Sequence, residues 1–148
     1  MRLSQILKTN LSYNAEGKEA FHKEGKRVLR LLVKELGLKK GEYEIRSNQG
    51  GIAVSGEVTL HADHWYIQVA QPCCQGGPVL WRLCQSQKDY TGMSNNYATA
   101  LALEDVKSFA LVLRKSLSSP AARNGGMANP GKILNISDEF MRRFAVAD

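Results

Sequence analysis

Leu3, Ile6, Leu7 and Leu11 recur at i, i+3, i+4 and i+8, the spacing of a short amphipathic helix with Ser4 placed to cap it. A longer helix follows. Asn14 is placed to cap it, and Glu16 falls in its first turn, where a carboxylate suits the helix dipole. It should run to about Leu36 and stop at Gly37, which accepts the left-handed conformation of a helix end. Phe21, Gly25, Val28, Leu29, Leu32 and Leu36 would form its buried side. A glycine costs about 1 kcal/mol relative to alanine inside a helix. Its place on the apolar face predicts a close crossing with another element.

The period then drops from 3.6 to 2. Tyr43, Ile45 and Ser47 alternate with Glu44, Arg46 and Asn48, and Asn48-Gln49-Gly50-Gly51 supplies a turn. Ile52, Val54, Gly56, Val58 and Leu60 alternate with Ala53, Ser55, Glu57, Thr59 and His61, a strand with one apolar and one polar face. After a turn at Ala62-Asp63-His64, Trp65, Ile67 and Val69 alternate with Tyr66, Gln68 and Ala70. Beyond the loop from Pro72 to Pro78, Val79, Trp81 and Leu83 alternate with Leu80, Arg82 and Cys84. Residues 85–98 carry mostly turn formers. The helical period returns from about Leu103 in Val106, Phe109, Ala110, Leu113 and Leu117, with Glu104 and Asp105 in the first turn and Ser118-Ser119-Pro120 as its end.

These elements predict an α+β domain over residues 1–117: a four-stranded antiparallel meander with the N-terminal helices and one C-terminal helix packed on one face. Tyr43, Val58, Trp65, Ile67, Trp81, Leu83, Phe21, Leu32 and Phe109 should be core. Residues 118–131, with Asn124-Gly125-Gly126 and Asn129-Pro130-Gly131, read as a flexible connector. Residues 132–148 read as a C-terminal arm with a short helix capped by Ser137 and an apolar set of Phe140, Met141 and Phe144. Such a helix cannot bury itself alone. It must pack at home, swap onto a second copy to make a homo-oligomer, or wait for a partner.

Composition narrows the setting. With 148 residues, 43% hydrophobic and 23% charged, the chain has the balance of a folded domain. No apolar run approaches the roughly 18 residues of a membrane span. No signal peptide is evident, and three cysteines without scaffold spacing argue against a disulfide framework, so the expectation is a cytoplasmic protein with no membrane partner.

The net charge of +6 is unevenly placed. Residues 18–40 hold eight Lys and Arg against three Glu. At about 100° per residue, Lys23, Arg27, Arg30 and Lys34 form a stripe almost opposite the apolar face of the second helix, with Glu24 and Glu35 falling away from it. Cations at i, i+4, i+7 and i+11 can meet successive phosphates of a nucleic acid. The plain alternative is a solvated helix face. No zinc-finger spacing, RNP-like strand or clear helix-turn-helix accompanies the stripe.

A second candidate lies on the polar sheet face. Pairing His61 with Tyr66 and Tyr66 with Cys84 keeps like faces together, and sets a second row Thr59–Gln68–Arg82 beside the first. A Cys and a His on one face invite a nucleophile, but two strand spacings would hold Cys84 about 10 Å from His61, beyond hydrogen-bond reach. The same pairing gathers the 61–64 turn and the 85–97 loop at one end of the sheet. Tyr66, Arg82, Lys88, Tyr90, Asn95 and Asn96 are the candidate ligand-binding residues there, and His61, His64 and Asp89 the candidate acid/base groups. An ordinary surface loop is the plain alternative. His61-x-Asp63-His64 and the adjacent Cys73-Cys74 lack metal-site spacing, and no glycine pair matches a phosphate loop, so no metal or cofactor is expected.

The favoured reading is a small binding or accessory protein without catalytic activity, contacting nucleic acid through the basic helix or another protein through the sheet face. The competing reading is a small enzyme or ligand-binding protein using the turn–loop end.

Overall fold

The computed structural model describes residues 1–71, 77–88 and 95–117. The helical periods become α1 (Leu3–Leu7), α2 (Ala15–Leu36) and α3 (Val106–Leu117), and the alternating segments become β1 (Tyr43–Asn48), β2 (Glu57–Ala62), β3 (Trp65–Ala70) and β4 (Val79–Leu83). A fifth strand, β5 (Asn96–Ala98), extends the antiparallel sheet, whose order is β1-β2-β3-β4-β5. The class is α+β. The expected connector and arm lie outside the described residues, as do Cys73, Cys74, Asp89 and Tyr90. Among the described residues no helix is long and apolar enough to cross a membrane.

Asn14 starts α2 as its pattern predicts, its side chain accepting the Gly17 backbone N–H at 3.0 Å, and Gly37 ends it with a φ of 70°. Phe21, Gly25, Val28, Leu29 and Leu32 are buried against the sheet. A Cβ on Gly25 would stand 3.0 Å from Val58 Cγ2, so this glycine marks the close crossing of α2 over β2. Ile67, Trp81, Phe109 and Leu113 complete the interior, whereas Tyr43 and Trp65 pack only at its margin. Gln71 ties the N-terminal turn to the sheet. Its Oε1 accepts the Leu11 N–H at 3.1 Å, and its Nε2 donates to the Leu7 and Thr9 carbonyls.

Several boundaries differ from the pattern. Ser4 lies inside α1 rather than capping it; Arg2 holds the N-cap position, and Ser4 Oγ donates to the Glu104 carboxylate. Strand β2 begins at Glu57, not Ile52, because Gly56 takes a φ of 70° and a Cβ there would lie 2.1 Å from the Asn48 carbonyl oxygen. Ile52 and Val54 are therefore exposed in the connection. Glu104 closes a 3-10 turn, Ala100–Glu104, and Asp105 receives the Ser108 N–H at the start of α3. Strand β5 escapes the pattern because three residues carry too little alternation to stand out.

Candidate functional site

The helical layer carries the first candidate surface. Because Gly25, Val28, Leu29 and Leu32 face the sheet, the same 3.6-residue period turns Lys23, Arg27, Arg30 and Lys34 outward, and all are exposed. Their environments differ. Arg27 donates to both oxygens of Glu24, at 2.6 and 2.8 Å, and these bonds hold the Glu24 carboxyl below the usual carboxylate range while raising the guanidinium. Glu24 thus closes on the stripe instead of falling away from it. Lys23, Arg30 and Lys34 form no ion pair among the described residues. A groove of about 400 Å³ runs beside them, lined by Met1, Ile6, Ala20, Lys23, Glu24, Arg27 and Arg30. Helix α3, packed against α2, adds exposed Lys107, Arg114 and Lys115 to the layer.

The outward face of the sheet carries the second. His61 pairs with Tyr66 as the alternation predicts, but Tyr66 faces Arg82, and the adjacent row is Thr59–Gln68–Leu80. The expected pairing of Tyr66 with Cys84 is thus displaced by two residues, a slip that leaves every side chain on its own face and so is invisible to alternation. Cys84 instead donates its backbone N–H to the His64 carbonyl at 2.8 Å, just past the end of β4. There the chain leaves the flat lattice on which the 10 Å separation rested. Cys84 Sγ lies 3.3 Å from His61 Nε2.

The 84–88 segment is fastened over this end of the sheet. Arg46 Nη2 donates to the Gln87 carbonyl at 3.1 Å, and Gln87 Nε2 donates to Asp63 Oδ1 at 2.8 Å and to the Gly41 carbonyl at 3.0 Å. The 61–64 turn and the start of the 85–97 loop are neighbours, although the register that brings them together is not the expected one. Arg46 Nη2 also contacts His61 Nδ1. A guanidinium can only donate, so Nδ1 accepts, and the proton of the neutral ring sits on Nε2, pointing at the Cys84 sulfur. Tyr66 packs between the two basic groups, its ring 5.0 Å from the His61 ring and 5.3 Å from the Arg82 guanidinium carbon. His61, Thr59 and Tyr66 are 0%, 2% and 3% exposed, although they face away from the helices.

The chain matches no family model, no curated protein and no solved structure.

The other candidate residues scatter. Arg82 Nη1 donates to Asn95 Oδ1 at 3.0 Å, and Asn95 Nδ2 meets the Tyr97 hydroxyl at 3.1 Å, so these polar groups do gather on the outward face. Asn96 turns the other way. It pairs opposite Trp81 on the core face and donates to the Trp81 carbonyl at 3.3 Å. Lys88 and His64 are exposed, and Asp89 and Tyr90 lie outside the described residues. No group of three His, Cys, Asp or Glu placed to hold a metal occurs among the described residues. Arg46, which the sequence reading passed over, sits on the polar face of β1 beside Glu44, the direct partner of His61. Its signal was the in-phase polar face of the first strand, usable only once the β1–β2 register is known.

Proposed function

We propose that this protein is a small cytoplasmic nucleic-acid-binding protein that holds the phosphate backbone with the outward face of α2. The carrying observation is the row of exposed cations Lys23, Arg30 and Lys34, joined by Arg27, on the side opposite the buried one. From Lys23 to Lys34 the row covers about 16 Å of helix, enough for two or three consecutive phosphates of one strand. Tyr13 is the only strongly exposed aromatic among the described residues, and it precedes α2. Without stacking groups on the stripe, recognition is electrostatic and largely indifferent to base sequence. A partner protein on the sheet face is less well supported, because Thr59, His61 and Tyr66 there are already buried. The double charge reversal Arg30→Glu with Lys34→Glu tests the reading. Binding of labelled duplex should disappear while the far-ultraviolet circular dichroism stays native.

One observation favours a second reading, a ligand site at the turn–loop end: His61, Tyr66, Arg82 and Asn95 form a contiguous polar set on the outward face. That reading requires a small anionic compound to raise the melting temperature, and the rise to vanish in His61→Ala. His61 would serve there by holding the Tyr66 ring in place, since it is fully buried with Arg46 at its Nδ1 and Cys84 at its Nε2.

A further inference from the structure

We propose that Cys84 is a modification site for small hydroperoxides, its sulfur prepared by Arg46 acting through His61. This inference stands apart from the nucleic-acid reading and shares no residue with it. The arrangement is a chain of donors. Arg46 Nη2 donates to His61 Nδ1, which leaves the ring's single proton on Nε2, and Nε2 faces Cys84 Sγ at 3.3 Å. The Cys84 sulfur also contacts the Ser86 carbonyl oxygen at 3.3 Å, which the S–H can donate to. When the thiol gives up its proton it loses the donation to the Ser86 carbonyl and keeps the contact with His61 Nε2. The sulfur keeps an N–H donor polarised by a guanidinium, and a thiolate is the nucleophilic form.

The same geometry excludes a general-base dyad. His61 Nε2 carries its proton and has no lone pair to take one from the thiol, so the chemistry here is attack by a donor-supported thiolate. Access selects the electrophile. Cys84 is 8% exposed at the end of β4, with Gln85 and Ser86 exposed beside it, which admits a molecule the size of hydrogen peroxide and hinders bulky reagents. In the step, the Cys84 thiolate attacks one peroxide oxygen; the S–O bond forms as the O–O bond breaks. Sulfur is oxidised by two electrons to a sulfenic acid, and the departing hydroxide or alkoxide takes a proton from water.

The test uses the full chain with Cys73→Ser and Cys74→Ser, so that Cys84 is the only thiol. Hydrogen peroxide is added at neutral pH, aliquots are quenched with catalase into urea containing dimedone so that trapping always occurs on the unfolded chain, and the adduct is followed by intact mass. The folded chain should react about tenfold faster than the same chain unfolded in urea. Arg46→Gln should remove that advantage, and Arg46→Lys, which keeps the cation, should retain much of it. A folded chain that reacts no faster than the unfolded one overturns the proposal. So does a natively folded Arg46→Gln chain with the parent's rate. Should Arg46→Gln not fold, the parent's folded-to-unfolded ratio decides alone.

Discussion

Gly25 of α2 lies directly over Val58 of β2, so close that a Cβ on the glycine would stand 3.0 Å from Val58 Cγ2. Two effects oppose each other in Gly25→Ala. Alanine gains about 1 kcal/mol of helix propensity, whereas overpacking a closed core costs about 1–3 kcal/mol. Val58 is fully buried in an interior strand and cannot step aside, so the clash should win. Urea unfolding of Gly25→Ala should show a net loss of about 1 kcal/mol, and Gly25→Leu a much larger one. A gain in stability for Gly25→Ala would show that α2 rides higher on the sheet than this contact requires.

His22 is buried on the same helix between a carbonyl and a hydroxyl, with Nε2 2.8 Å from the Ser55 carbonyl oxygen and Nδ1 2.7 Å from Ser47 Oγ. The carbonyl can only accept, so Nε2 carries the proton and Nδ1 accepts from the serine. Burial lowers the His22 pKa below 6.5, outweighing the Ser55 carbonyl bond, and nearby Lys18 and Lys26 add to the lowering while Glu57 opposes it. The unfolded chain therefore binds this proton more readily than the folded one. His22's contribution is fully present above pH 6.5 and is lost as pH falls from there toward the lower folded value. The urea midpoint should drop between pH 7.5 and 5.5, and His22→Asn should flatten that drop. An unchanged slope would mean that His22 is charged in the folded protein.

Gln71 closes the N-terminal segment through three backbone hydrogen bonds, to Leu11, Leu7 and Thr9. At about 1 kcal/mol each, Gln71→Ala should cost about 2–3 kcal/mol. Gln71→Glu should cost at least as much, because its carboxylate would face the Leu7 and Thr9 carbonyls. Chemical denaturation of both variants checks the order.

Glu24 sets the number of cations that α2 can offer. Its ion pair with Arg27 lies at the surface, so Glu24→Gln should change stability by less than about 1 kcal/mol. Released from its partner, Arg27 would join Lys23, Arg30 and Lys34, and affinity for duplex should rise severalfold with a steeper salt dependence. Unchanged binding would separate Arg27 from the contact surface.

The sequence was most legible where one period ran long. Over the twenty-two residues of α2, the Asn14 cap, the Gly37 stop and the buried centre at Phe21, Gly25, Val28, Leu29 and Leu32 follow from spacing alone, whereas the burial of Lys18 and His22 does not. It was least legible where a conclusion depended on register. Alternation alone sets Cys84 two strand spacings from His61, because it cannot see a two-residue slip between β3 and β4 or that Cys84 sits past the strand end. Asn96 falls among turn formers in the sequence, although it faces the core from a strand too short to show a period. Glu24 seemed remote from the stripe on a helical wheel, yet an i, i+3 pair brings its long side chain to Arg27. Angles on a wheel locate Cα atoms, and ion pairs are made by the ends of flexible chains.

The proposed function makes the outward face of α2 a phosphate track. The most direct measurement is fluorescence anisotropy of labelled duplex DNA, single-stranded DNA and RNA titrated with the protein at about 50 and 200 mM salt. Binding through Lys23, Arg30 and Lys34, with Arg27 partly engaged by Glu24, should neutralise about three phosphates and weaken roughly tenfold or more between the two conditions. Arg30→Glu with Lys34→Glu should abolish it. Absence of binding at the lower salt, or binding that survives the double reversal, would contradict the claim.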